Sequence, residues 1–170
     1  MLNFGSGDTW RKNHKMIVFL TIFSGVVTFV LGQVVLKLLI DPVQEFKKTI
    51  ADIALALIEY ANIYANPGVA NVEVAKKASD EFRKLSSRLN AQMYLIPSYN
   101  FTAKLFRLPS REEVVDSAKN LIGLSNGVFQ SMADLSTVNT IRADKIRSSL
   151  NIFIPEDERI HTKKELDLSI

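Results

Sequence analysis

The sequence predicts an all-α protein, with one N-terminal transmembrane helix followed by a small antiparallel helical bundle of about three to five helices. Three observations predict this fold class. A 21-residue run near the N-terminus carries no charge, later segments place apolar residues at every third or fourth position, and no segment alternates like a half-buried strand. The 170-residue chain is 47% hydrophobic and 23% charged, which excludes the composition of a disordered protein. It contains no cysteine, so disulfide scaffolds, thiolate metal sites and cysteine nucleophiles are excluded as well.

The first element is the predicted membrane anchor. Met16 to Leu36 is the uncharged run, and its apolar character continues past Lys37 to Ile40. About 20 helical residues cross the roughly 30 Å hydrocarbon core of a bilayer. A cleaved signal peptide is the alternative, but the apolar run extends well beyond the small residues that precede Gln33. We therefore predict an uncleaved anchor at residues 16–40 after a basic tail at residues 1–15.

The charges that flank the anchor bear on its orientation. Basic residues cluster in residues 11–15, whereas Lys37, Lys47 and Lys48 are mixed with acidic residues. Cytoplasmic flanks carry the excess of Lys and Arg, so the compact cluster favours an N-terminus inside. Lys37, close to the end of the anchor, is expected to extend its ammonium group to the lipid headgroups.

One face of the anchor carries small and weakly polar residues. Close backbone approach at small residues, and hydrogen bonds from Ser and Thr, drive helix association in lipid. The sequence therefore predicts that this face packs on a second copy or on another membrane helix, although Gly and Thr are also common in membrane helices generally. The predicted packing seam consists of Thr21, Ser24, Gly25, Thr28 and Gly32.

The predicted bundle domain covers residues 41–150. Asp41-Pro42-Val43-Gln44 has the residues of a helix start, with an N-cap, a proline at the first position and a capping-box amide. Its helix is expected to continue to the turn at Asn66-Pro67-Gly68. A second helix is predicted from Val72 to Leu95, ended by Ile96-Pro97. Its inner face is predicted to carry Val74, Ala78, Phe82, Leu85, Leu89 and Met93.

A short helix is predicted between Pro97 and Pro109. The capping box Ser110-Arg111-Glu112-Glu113 then begins a helix that extends to about Met132. A weaker helix is predicted from Val138 to Leu150, and residues 151–170 are predicted to be a mobile tail. The inner face of the capped helix is predicted to carry Val114, Ala118, Leu121, Ile122, Ser125 and Phe129.

Two short motifs resemble catalytic or metal sites. Gly123-Leu124-Ser125-Asn126-Gly127 matches G-x-S-x-G, but a nucleophile elbow needs a strand before the serine, and this match lies inside a predicted helix. Its glycines instead favour close helix packing. Glu158-Arg159-Ile160-His161 is a single E-x-x-H, whereas di-metal bundles use two. We therefore predict that the protein is not an enzyme and has no catalytic residue, cofactor, metal or small-molecule substrate.

The remaining feature is a basic segment. Residues 76–111 hold eight basic and two acidic residues, which is typical of a solvated helix face but also of surfaces that bind anionic lipid or acidic proteins. Nucleic acid is not predicted as a partner. The Tyr, Phe, Leu and basic residues of 93–109 fit a membrane interface, or alternatively a plug between helices. The predicted membrane-interface or partner-facing residues are Lys37, Tyr99, Phe101, Lys104, Leu105, Phe106 and Arg107.

Two function classes fit these predictions. The favoured one is a single-pass accessory, scaffold or assembly subunit, with lipid and either further copies or other membrane proteins as partners. The alternative is an oligomeric membrane-perturbing effector or small channel built on the anchor helix. A water-filled pore needs a polar line along the helix, and Thr21, Ser24, Thr28 and Gln33 supply only a thin one.

Overall fold

The protein is described by a computed structural model over residues 6–129 and 134–153, with side chains from residue 10 onward. Every regular element in these ranges is helical, which confirms the predicted all-α class. The chain divides into two compact units between Asp41 and Pro42. Most of the predicted tail, residues 154–170, lies outside the described residues, as do residues 1–5.

The first unit consists of helix α1 (Ser6–Val35) and a π-helical segment (Leu36–Ile40). The large apolar side chains of α1 are exposed from Trp10 to Val35. The apolar window is long enough to cross a membrane by length and composition, and none of it is buried. The predicted long apolar N-terminal helix is therefore confirmed.

The next helix, α2 (Asp41–Glu59), begins at Asp41, but the predicted N-cap role of this residue is wrong. Its backbone is already helical (φ −58°, ψ −50°), and its N–H donates to the carbonyl of Leu36, as in a π turn. The Asp41 carboxylate accepts from the Lys37 ammonium at 3.0 Å and caps nothing. A proline disturbs the helical turn before it, and a widened turn directly before Pro42 is one way to accommodate that disturbance.

The second unit contains six α-helices within the described residues. The boundaries of α4 are those predicted, and α7 begins three residues earlier than predicted. The capped helix ends at Gly127 and not near Met132, which lies outside the described residues. The helices are α2 (Asp41–Glu59), α3 (Ala61–Ala65), α4 (Val72–Leu95), α5 (Tyr99–Phe106), α6 (Arg111–Gly127) and α7 (Leu135–Ser149).

The first helix of this unit is shorter than predicted. Tyr60 leaves helical geometry (φ −101°, ψ 15°) and separates α2 from α3, well before the predicted turn at Asn66-Pro67-Gly68. The hydroxyl of Tyr64 donates to the carbonyl of Leu57 at 3.1 Å. The rings of Tyr60 and Tyr64 lie 5.8 and 6.3 Å from the ring of Phe82. Tertiary contacts on Phe82 thus accompany a break that helical periodicity does not reveal.

One hydrophobic core joins the helices of this unit. Helix α4 packs against α6, and α6 packs against α7. The Ser86 hydroxyl donates to the carbonyl of Ala118 at 2.9 Å across the α4–α6 contact, so a buried polar group is satisfied there. The largest fully buried side chains are Phe46, Ile53, Leu57, Phe82, Leu85, Leu89, Met93, Val114, Leu121, Leu124, Val128 and Ile146.

The predicted role of the two α6 glycines in packing is confirmed. A Cβ atom at Gly123 would lie 2.6 Å from Nε of Arg142, and one at Gly127 would clash with the amide of Asn139. Arg142 donates to the Gly123 carbonyl at 3.1 Å, and Asn139 donates to the carbonyl of Tyr64 at 3.1 Å. The missing side chains therefore let α7 approach α6 closely.

Two predicted core positions are wrong. Val74 is exposed, and the neighbouring Ala75 is buried in the first turns of α4. Phe129 is exposed because α6 ends at Gly127, so helical spacing no longer determines the direction of its side chain. The other predicted inner-face residues of α4 and α6 are buried, except Ile122, which is half-buried.

Candidate functional site

Helix α5 is fixed by hydrogen bonds to the prolines on both sides. The hydroxyl of Tyr99 donates to the carbonyl of Pro109 at 2.8 Å, and the hydroxyl of Thr102 donates to the carbonyl of Pro97 at 2.7 Å. Burial raises the pKa of Tyr99 to about 12, so this phenol stays protonated and remains a donor at neutral pH. These hydrogen bonds hold the buried side chains of Tyr99 and Thr102 in place on the inner face of α5.

The outer face of α5 combines apolar and basic side chains. Phe101 is 70% exposed and Leu105 is 60% exposed, and they lie one turn apart. Lys104 and Arg107 are also exposed. We call these four residues, Phe101, Lys104, Leu105 and Arg107, the α5 surface. Exposed apolar groups beside cations are typical of segments that lie at a membrane interface.

Three other residues predicted for this interface lie elsewhere. The prediction for Tyr99 is wrong, because it is 3% exposed and its ring packs edge-on against Phe46 at 6.0 Å. Phe106 is half-buried and packs against the core. Lys37 belongs to the first unit, where it is exposed and pairs with Asp41.

An open groove of about 460 Å³, which no sequence motif indicates, runs beside α5. Lys104 and Arg107 of the α5 surface line it together with Asn100 and Ser110. Glu113 also lines it, but its carboxylate accepts the backbone N–H of Ser110 at 2.6 Å, which completes the predicted capping box. Arg107, which lines the groove, adopts a left-handed backbone (φ 53°) directly after α5.

The predicted packing seam lies on α1. No atom lies within 4 Å of a Cβ built at Gly25 or at Gly32, apart from the adjacent helix backbone and chain neighbours. The hydroxyl of Thr21 donates to the carbonyl of Ile17 at 2.9 Å, and the side chains of Ser24 and Thr28 are exposed. Both glycine positions thus have open space beside them.

Ser125, the serine of the G-x-S-x-G match, is buried within α6. Its Oγ lies 2.9 Å from Oγ of Ser79 and 3.4 Å from the guanidinium of Arg83, which also donates to Asn126 at 3.0 Å. A hydroxyl and a guanidinium supply no general base, since Arg stays protonated in proteins. Its contacts are those of a structural serine, and His161 lies outside the described residues.

Replacing Ser125 with alanine is expected to lower the free energy of unfolding by about 1–3 kcal/mol, because the buried hydroxyl of Ser79 loses its partner and the contact with Arg83 is also lost. Thermal unfolding followed by circular dichroism measures this change. A fluorophosphonate probe, which reacts with activated serines, should leave Ser125 unlabelled. Labelling that disappears in the Ser125→Ala variant would contradict the structural interpretation.

The E-x-x-H motif at residues 158–161 also lies outside the described residues. Within the described part of the chain, no group of three or more His, Asp or Glu side chains is placed to hold a metal ion. No protein-family profile, curated protein or solved structure matches this sequence.

Proposed function

We propose that the protein is a non-enzymatic, single-pass membrane protein that acts as an accessory, scaffold or assembly subunit of an oligomer or larger membrane complex. The observation that carries this proposal is the exposure of the N-terminal helix, whose apolar window is entirely unburied. Exposed apolar surface costs about 25 cal/mol per Å² in water, and a bilayer removes that cost. Residues 16–40 span the bilayer in this proposal, with the N-terminus inside because residues 11–15 are basic.

The anchored domain is an antiparallel helical bundle in this proposal. Ser79 in α4 meets Ser125, whereas Ser86, later in α4, meets Ala118, earlier in α6. Contact partners that run in opposite order along two helices support antiparallel packing. The α6–α7 pairs follow the same reversed order, Gly123 with Arg142 and Gly127 with Asn139.

The subunit role is supported by two surfaces with open space beside them. On α1, the seam offers small residues where a second helix can approach closely. On the second unit, the α5 surface exposes apolar and basic groups together. A protein without chemistry of its own can use such surfaces to bind lipid and other membrane subunits.

The seam gives the test of assembly. We expect the detergent-extracted particle of the Gly25→Leu, Gly32→Leu variant to have a lower mass, or to contain fewer co-purifying chains, than the particle of the unaltered protein. Each added side chain separates backbones whose close contact stabilises the pair. The matched control is Val27→Leu with Val34→Leu, which has the same spacing but lies on the opposite face at about 100° per residue.

The outcomes separate the candidate functions. An unchanged particle in the Gly25, Gly32 variant contradicts packing through the seam, and a monodisperse full-length chain recovered without detergent contradicts the anchor. A cleaved signal peptide would appear as a mature chain that lacks the apolar run. The channel alternative requires ion flux in liposomes that the Gly25, Gly32 variant abolishes. The hydroxyl of Thr21 already donates to its own helix backbone, which does not favour that alternative.

A further inference from the structure

The α5 surface lies at the end of the second unit where the chain enters it. Tyr99, at the start of α5, packs edge-on against Phe46 at 6.0 Å. Phe46 is four residues, or about 6 Å of helix, from Pro42, the first residue of that unit. If residues 16–40 span the bilayer, as proposed above, the chain leaves the lipid directly before Pro42. The contact between Phe46 and Tyr99 therefore places α5 close to the residue at which the second unit begins.

The charges of this surface suit an anionic partner. Lys104 and Arg107 form no ion pair within the described residues, whose salt bridges use other cations. The one carboxylate that lines the adjacent groove, Glu113, accepts the N–H of Ser110. Both cations are therefore available to phosphate and carboxylate groups outside the protein.

The apolar residues of this surface suit a lipid surface in particular. Phe101 and Leu105 are exposed on the helix that carries Lys104 and that ends directly before Arg107, so apolar and charged groups lie close together. Interfacial helices bind with the apolar groups among the upper acyl chains and the basic groups at the headgroups. An acidic protein surface would complement only the two cations. It would give Phe101 and Leu105 no apolar surroundings.

We propose that the α5 surface docks on the anionic headgroups of the leaflet from which the anchor emerges. Phe101 and Leu105 enter the headgroup boundary, and Lys104 and Arg107 bind lipid phosphates and carboxylates. The docking rests on the proposed membrane anchor, and it deepens that function by holding the helical domain against the bilayer. Its partner is anionic lipid, and not a protein.

A tryptophan at position 101 reports whether this surface contacts lipid. The chain has one tryptophan, Trp10, so Trp10→Phe provides a silent background for Phe101→Trp. The matched control is Val69→Trp in the same background, because Val69 is 82% exposed and precedes α4, whose 24 residues separate it from α5 by about 36 Å of helix. Both full-length proteins are reconstituted in phosphatidylcholine vesicles with or without phosphatidylserine. The two leaflets have the same composition, so the orientation of insertion does not affect the result.

Brominated lipids quench tryptophan only when they touch it. We expect at least twofold stronger quenching at position 101 than at position 69 in phosphatidylserine vesicles, and a weaker difference in phosphatidylcholine alone. Lys104→Glu with Arg107→Glu should remove the difference. The control charge reversal is Lys76→Glu with Lys77→Glu, which changes exposed cations at the other end of α4. It should leave the quenching difference between positions 101 and 69 intact.

Flotation of the vesicles distinguishes the two proposals. If the variants float with the vesicles but positions 101 and 69 are quenched equally, lipid docking is wrong and the anchor stands. Equal quenching with and without phosphatidylserine overturns the anionic-lipid assignment. If position 101 is protected from quenching only when an acidic protein is added, the partner is a protein. This result also overturns the anionic-lipid assignment. If no variant floats, the anchor and the docking that rests on it both fail.

Discussion

Replacing Phe82 with alanine is expected to lower the free energy of unfolding of the second unit by about 3–5 kcal/mol. Phe82 has no exposed surface, and its ring contacts both tyrosines at the α2–α3 break. Truncation removes the buried ring and leaves a cavity that Tyr60 and Tyr64 can fill only in part. Denaturant unfolding of the full chain in a mild detergent, followed by far-UV circular dichroism, measures the change.

Phe101→Ala is the matched control for Phe82→Ala. The substitution is chemically identical, but the ring of Phe101 is largely exposed on α5, so its loss creates no cavity. We expect a change within about 0.5 kcal/mol. Equal effects of the two substitutions would contradict the core that joins α2, α3 and α4.

Local signals in the sequence predicted much of this unit. The C-terminal end of α4 follows from Ile96-Pro97, and at its N-terminal end the structure shows a local cap, in which the Asn71 side chain accepts the N–H of Glu73. The capping box of α6 forms as its spacing predicts. Such signals succeed because every partner lies within a few residues in the chain.

Tertiary contacts explain most of what the sequence did not predict. The break at Tyr60 places two rings on Phe82, which is distant in the chain.

Asp41 and Pro42 have the residue types of a helix start, yet the same pair follows a π turn in a continuing helical backbone. Residue type alone does not distinguish these two settings.

The candidate surface was predicted only in part. At about 100° per residue, Tyr99 and Phe106 lie on one side of α5 and Phe101 and Leu105 on another, but this spacing does not determine which side faces the core. The contact between Tyr99 and Phe46 determines this, and Phe46 belongs to a different helix. The left-handed backbone of Arg107, which lines the groove, is likewise not indicated by any sequence motif.

Two arginines in the apolar helix are expected to abolish integration into the membrane. Phe23→Arg and Val26→Arg each add about 2.5–3.5 kcal/mol at the centre of a spanning helix, or roughly 5–7 kcal/mol together. Both side chains are exposed in the first unit, so the substitutions remove no contact of the second unit's core. The measurement is the share of full-length protein that stays in membranes after alkaline extraction.

Leu55→Arg with Ile58→Arg is the matched control, because these side chains are exposed on α2 in the second unit. The control adds the same two charges one helical turn apart, and it should stay in the membrane fraction like the unaltered protein. If residues 16–40 lay on the membrane surface with one face in water, arginines on that face would cost little, and the variant would fractionate like the unaltered protein. Retention of the Phe23, Val26 variant after alkaline extraction would therefore contradict a spanning helix, because only a helix surrounded by hydrocarbon bears the full cost of both charges.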